Sequence, residues 1–400
     1  IATLLLSDDN YGTTPLEEAL SVSKLYLEKA LSIEPDNPDA LAGLGFNYRN
    51  QPGGRSVVEK AIPLLEQALA INPSMIDASN WLQQAYAAVG RGADAHRILE
   101  EMFNRDPLYK PAAGNLVFSY ISQGRIEAAE RVLKRIRPFI RDESFIARVH
   151  ANILTNSGRA GEALPIARRS YEMDPNDGVA YAAIAWAMSN LGMDDAILEL
   201  DAPFPFFKLQ ALTRLGRKEE GLKFAQEWSD RLGNPGLLIG LFHSTRQPQK
   251  LVDFVETRWP DLASFNSEFP GGLGFGHWNM ISIAHAYRKS GNRNKFEQAM
   301  KYARASHDQH ISEGFTSQIF YAAEASYWVL AGDTDRALDH LNTSILKGNY
   351  FPVSSVSQAP ELDEILDNPR FRALVMQAHE KFNEQRVIAG LEPVPVEWSL

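Results

Sequence analysis

Between Leu82 and Leu99 the chain reads LQQAYAAVGRGADAHRIL. Leu82 and Tyr86 are one helical turn apart, and Ala95 and Leu99 repeat that spacing after Gly90. This is the pattern of a helix, a turn and a second helix, with the glycine free to take the left-handed conformation that ends the first. Working outward, the same slots return 34 residues later as Leu116, Tyr120, Gly124, Ala129 and Leu133, and again as His150, Leu154, Gly158, Ala163 and Ala167. Gly192 keeps the beat. Pro73, Pro107 and Pro175 mark it after the second helix, with Arg141 standing where one proline is missing. A pair of helices this short cannot bury its apolar face alone, so such units must stack.

The period and the slots resemble the tetratricopeptide repeat, without its leading Trp and, in most units, its first-helix Gly. Gly43-Leu44-Gly45 and Tyr48 supply the Leu-Gly-x-x-Tyr piece in the first clear unit. The small Ala95, Ala129 and Ala163 let the second helix approach the first, and the proline beyond it stops the helix. The fold class this predicts is all-α: a right-handed α-α superhelix, regular in its N-terminal half and degenerate in its C-terminal half.

Composition narrows the ligand class. Of 400 residues, 44% are hydrophobic and 22% charged, as in a folded chain, and the formal net charge of −10 argues against nucleic acid or an anionic membrane as partner. With no cysteine, disulfides, thiol catalysis and cysteine-ligated zinc are excluded, and the cytoplasm is the expected compartment. No apolar run reaches the roughly 18 residues of a membrane span. The sequence opens on Ile1 rather than Met, which suggests a piece of a longer polypeptide.

Four segments are expected. Residues 1–200 form the regular array, with Gln51-Pro52-Gly53-Gly54 absorbing about four extra residues between Pro35 and Pro73. Residues 201–276 hold divergent helix pairs, including Lys218–Leu232 and then Leu237–Ser244 with Pro248–Trp259, followed by a Gly/Pro-rich irregular stretch over 260–276. Residues 277–391 resume the repeats and end in a helix over Asn368–Ile388, opened by Asn368-Pro369 as cap and first-turn proline. Residues 392–400, with Pro393 and Pro395, form an extended tail.

Leu27–Gly45 (LEKALSIEPDNPDALAGLG) and the closing LDEILDNPRFRAL within Leu362–Arg386 resemble the C-terminal repeat region of bacterial multidomain regulators. That resemblance implies an upstream output domain, commonly a class III adenylate/guanylate cyclase or a winged helix. No cyclase metal-aspartate pair is found here, so no catalytic residue carries over.

In a tetratricopeptide superhelix the first helix of each unit lines the concave face. With units starting at Pro38, Ile76, Lys110, Ser144 and Gly178, the inward positions are Phe46, Arg49 and Asn50, Asn80 and Gln84, Phe118 and Ser122, Arg148, Asn152 and Asn156, and Trp186 and Asn190. Asn50, Asn156 and Asn190 share one slot, and a carboxamide there can meet an extended peptide backbone without reading its side chains. Phe118 and Trp186 can take apolar side chains. Solvated helix polarity is the competing reading. Arg148 and Asn152 resemble half of a chaperone-binding carboxylate clamp, whose next Asn is replaced by Trp186.

Other constellations are weaker. His307, His310 and Glu313 share a helix face, read as polar surface rather than a metal site. Gly271–Gly276 lacks the strand a phosphate loop follows. Trp259, Phe265, Phe269, Phe275 and Trp278 either cover the core or plug the groove. The expected function is therefore a non-catalytic module that binds a protein or extended peptide, without cofactor or metal, and regulates or localises a missing output domain. Self-association as a homodimer and an enzyme built on the repeats are the alternatives.

Overall fold

The computed structural model describes residues 16–51, 54–201, 205–232, 236–268 and 275–398. Among these the chain is all-α, a succession of short antiparallel helices, and no helix is long and apolar enough to cross a membrane. The chain divides into two compact units, residues 1–112 with 263–276, and residues 113–262 with 277–400.

The turns form as the sequence predicts. Gly90, Gly124, Gly158 and Gly192 have φ of 79°, 65°, 79° and 65°. In each turn two backbone bonds close the first helix: Gly90 N donates to Ala87 O at 3.2 Å and Arg91 N to Tyr86 O at 2.8 Å, and the pattern repeats at Gly124–Arg125 and Gly158–Arg159. This satisfies carbonyls that the helix end would leave bare. The arginine after the glycine lies over the tyrosine five residues before it, Arg91 at 4.0 Å from the Tyr86 ring and Arg125 at 4.7 Å from Tyr120. Ala95, Ala129 and Ala163 are buried where the two helices meet.

In the first unit, helices Pro38–Asn50, Ala61–Ile71, Ile76–Ala88 and Gly92–Arg105 enclose Leu41, Leu65, Leu82, Tyr86 and Ile98. Asn37 caps the helix that Pro38 opens, accepting from Ala40 N at 2.9 Å. Buried Asn47 ties that helix to its predecessor, Leu16–Ile33, by donating to Leu20 O at 2.6 Å and Ser23 Oγ at 2.8 Å.

The second unit continues with helices over Ile126–Ile136, Glu143–Asn156, Ala160–Met173 and Gly178–Asn190, capped by Asp142 and Asp177. Its C-terminal part then returns onto the turns of these helices. Thr316 N donates to Ser122 O at 3.2 Å and Thr316 Oγ1 to Gln123 O at 2.6 Å. Gly348 and Tyr350 press on Gly158, where an added Cβ would lie 2.8 Å from Gly348 Cα and 2.6 Å from the Tyr350 ring. From the closing helix Pro369–Ile388, Phe382 meets Gly192, the Arg386 guanidinium donates to Leu191 O, and Gln385 Oε1 accepts from Gly161 N at 3.2 Å. Three successive turns are thus each met by a different returning element. The 34-residue beat carries no sign of this.

The predicted helix Lys218–Leu232 is found with those bounds, and Gly236–Ser244 with Pro248–Arg258 forms the divergent pair. Asn368 caps the closing helix, accepting from Arg370 N at 2.9 Å and Phe371 N at 3.2 Å. The irregular reading of 260–276 needs correction: Leu262–Glu268 is helical and a further helix starts at Phe275. Trp259 and Phe265 are buried. Phe269, residues 270–274 and the Phe275 side chain lie outside the described residues, as do Pro52, Gly53, Pro203 and Phe204.

Candidate functional site

In the first unit, the predicted inward positions gather on helices Pro38–Asn50 and Ile76–Ala88. Phe46 packs against half-buried Trp81 with ring centroids 4.7 Å apart and ring planes tilted by 54°. Beside it, Arg49 donates to Asn50 Oδ1 at 2.9 Å, and burial lowers the Arg49 pKa. Asn80 is buried and accepts from Gln83 Nε2 at 3.1 Å, while Gln84 is half-buried. The sequence singled out Phe46 but not its partner Trp81.

In the second unit, Phe118 is 58% exposed, the largest apolar surface among the predicted positions. Arg148 lies with its Nε 3.2 Å from Asp177 Oδ2 and its guanidinium 4.9 Å from the Phe145 ring. The guanidinium that resembles half of a carboxylate clamp is therefore already paired with the cap of the next repeat, Asp177. Trp186 packs against Phe207 at 5.8 Å, and Asn152 remains half-buried. Asn156 Oδ1 accepts from Gln318 Nε2 at 3.4 Å, a contact with the returning segment.

The shared asparagine slot has a local task. Asn50 Nδ2 donates to Phe46 O at 2.8 Å, Asn156 Nδ2 to Asn152 O at 2.9 Å, and Asn190 Nδ2 to Trp186 O at 2.9 Å. Ser122, in the same slot, donates to Phe118 O at 3.0 Å. Each side chain bonds back to the carbonyl four residues earlier in the last turn of its own helix, which orients it, and the oxygens of Asn50 and Asn156 are in turn met by Arg49 and Gln318.

Sequence reasoning missed a cluster of buried ionisable groups in the second unit. Glu361 is fully buried, its Oε2 2.9 Å from His243 Nε2, and it also bonds Ser326. The His243 and His285 rings meet edge to face at 5.2 Å. Burial alone would raise the Glu361 pKa, but His243 and the hydrogen bonds outweigh it and bring it down to about 2. His285 is lowered to about 4, by burial first and His243 second. Fully buried Glu324 has its Oε1 2.6 Å from His307 Nδ1. His307 and His310 are thus core residues, and the surface reading is corrected: spacing fixes a common helix face, not which face is buried. Among the described residues no group of three or more ionisable side chains is arranged to hold a metal.

Residues 58–108 and 87–153 match the tetratricopeptide repeat family. No curated protein matches the chain. Among solved structures, a thermophilic tetratricopeptide repeat protein of Thermus thermophilus is 22% identical over 43% of this chain and 91% of its own, with a TM-score of 0.36. A tetratricopeptide repeat protein of Parabacteroides merdae is 12% identical over 80% and 93%, with a TM-score of 0.37. The Cut9–Hcn1 hetero-tetramer is 13% identical over 90% and 86%, with a TM-score of 0.41.

Proposed function

We propose, from the premise that residues 58–153 carry tetratricopeptide repeats, that the chain is a non-catalytic protein-binding module. It takes an extended peptide along the first helices of its repeats. The observation that carries this reading is the aromatic surface left half-exposed or exposed on first helices of the second unit, Phe118 and Trp186; in the first unit Phe46 with Trp81 forms a separate patch. Between Phe118 and Trp186, Asn152 and Asn156 lie on the intervening first helix, Glu143–Asn156, and the Asn190 carboxamide bonds to Trp186 O. Once a partner is identified by affinity capture and mass spectrometry, Trp186→Ala combined with Asn152→Ala and Asn156→Ala should weaken it by about 2 kcal/mol or more, read by calorimetry. Unchanged affinity in the folded variant would remove the assignment.

The resemblance of Leu27–Gly45 and Leu362–Arg386 to regulator repeat regions supports a finer version. In it the array regulates or localises an output domain, a class III cyclase or a winged helix, encoded upstream. The open reading frame before Ile1 tests this directly, since a frame with neither domain ends that version.

Self-association is a second reading, favoured by one observation. Helix Leu16–Ile33 exposes Val22, Leu25, Tyr26 and Ile33, which recur at helical spacing as one row. Light scattering should show a dimer that Leu25→Glu with Ile33→Glu converts to monomer. A monomer at high concentration before mutation counts against it.

A further inference from the structure

Residues 391–398 run without helix beside the closing helix. Glu392 and Val394 each precede a proline, which confines both to extended backbone. Val394 is the one residue between Pro393 and Pro395, so it alone there offers an N–H as well as a carbonyl.

Asn383 meets both groups. Val394 N donates to Asn383 Oδ1 at 2.9 Å, and Asn383 Nδ2 donates to Val394 O at 3.0 Å. His379, one turn earlier and 2% exposed, adds a third bond to the same residue, its Nε2 lying 3.1 Å from Val394 O. The tautomer follows from the other nitrogen: Nδ1 accepts from Val353 N at 3.1 Å, so the proton sits on Nε2 and points at the peptide. Arg386 Nε donates to Glu392 O at 2.8 Å, and Arg372 lies 5.5 Å from the Trp398 ring.

A carboxamide that answers both main-chain groups of one residue copies the edge of a β-strand and selects backbone conformation rather than side chain. The held segment fits that description. Glu392, Pro393, Pro395, Val396 and Glu397 point into solvent. The grip is therefore polar and local, and the prolines keep the bound conformation populated when the segment is free.

We infer that the His379–Asn383–Arg386 face of the closing helix is a binding site for an extended, proline-flanked peptide. Residues 391–398 are its resident occupant in cis, and the same sequence supplied by another molecule is its ligand in trans. This site is separate from the inner helix faces and does not depend on their reading.

The test uses the full chain. Pro393→Gly, Val394→Gly and Pro395→Gly together loosen the resident segment without shortening the protein. A dye-labelled synthetic peptide of residues 391–400 should then bind one to one by anisotropy. It should bind the unaltered chain at least about tenfold more weakly, because the site is filled, and adding Asn383→Ala to the loosened chain should cost a further tenfold or more. Failure of the folded, loosened chain to bind the peptide, or binding indifferent to Asn383, overturns the proposal. Hydrogen exchange of the unaltered chain gives a second readout that does not need the loosened variant. The Val394 amide should be protected and should lose that protection in Asn383→Ala, and free exchange in the unaltered chain likewise overturns the proposal.

Discussion

Glu361→Ala should cost about 3–5 kcal/mol of stability, because removing one member of a buried pair leaves the other charge without compensation. The carboxylate is fully buried, bonded to His243 and Ser326, and beside His285. Arg288–Glu364, on the same short 3-10 segment Pro360–Ile365, is a partly exposed pair at 2.8 Å and serves as the internal comparison. Glu364→Ala should cost no more than about 1 kcal/mol. Urea unfolding of the two variants and of the His243→Ala, Glu361→Ala double variant checks this. A Glu361 loss as small as that of Glu364 would show that water reaches the pair.

The same cluster sets an acid limb. His285 is neutral in the folded chain down to about pH 4 but takes a proton at its ordinary 6.5 when unfolded. Its contribution is therefore complete above 6.5 and lost as pH falls toward 4, up to about 3 kcal/mol. The Glu361 contribution, from a pKa lowered from 4.5 to about 2, is present above 4.5 and lost as pH falls toward 2. Lys289 and Asp363 also act on His285, in opposite directions. Replacing His285 by Gln should flatten the limb between pH 6.5 and 4. An unchanged limb would place its origin elsewhere, for instance at His150 or His340, both lowered by burial.

Gly158→Ala should be the second large loss, about 3 kcal/mol or more, from two sources that a control separates. A side chain at φ 79° pays roughly 1–2 kcal/mol for the left-handed backbone. The new Cβ would also meet Gly348 Cα and the Tyr350 ring well inside contact distance, and backbone cannot swing aside as a side chain can. Gly216 has φ 71° and nothing within 4 Å of its would-be Cβ, so Gly216→Ala reports the conformational part alone. The difference between the two thermal-unfolding losses measures how firmly the C-terminal part is seated. Equal losses would mean that the seat is loose.

These two sites divide what the sequence reveals from what it conceals. Gly158 and Gly216 both announce a turn, because a left-handed helix end leaves a local signature. That one of them also receives Gly348 is invisible, since a 34-residue period describes neighbours in sequence and Gly348 is 190 residues away. Helix bounds such as Lys218–Leu232 and the Asn368 cap were legible for the same local reason. The slots of Asn50, Asn156 and Asn190 at the ends of first helices were legible, but the bonds these side chains make were not. Their common identity suggested a common ligand, whereas each first satisfies a carbonyl four residues back. His243 and Glu361 lie 118 residues apart, and no spacing rule joins them. His307 and His310 carried a pattern, yet only tertiary packing decides which side of their helix is dry.

The return of the C-terminal part onto three successive turns bears on how the second unit folds. An open repeat array has almost only short-range contacts, so it can nucleate at any unit and lengthen step by step. Here the bonds Thr316–Gln123, Arg386–Leu191 and Gly161–Gln385 span 193, 195 and 224 residues. Closing loops of that size delays the reward for ordering either side, which raises contact order and slows folding relative to a linear array. The same closure removes fraying at the bracketed turns, so the helices from Lys110 to Asn190 should open together with the closing helix rather than one hairpin at a time.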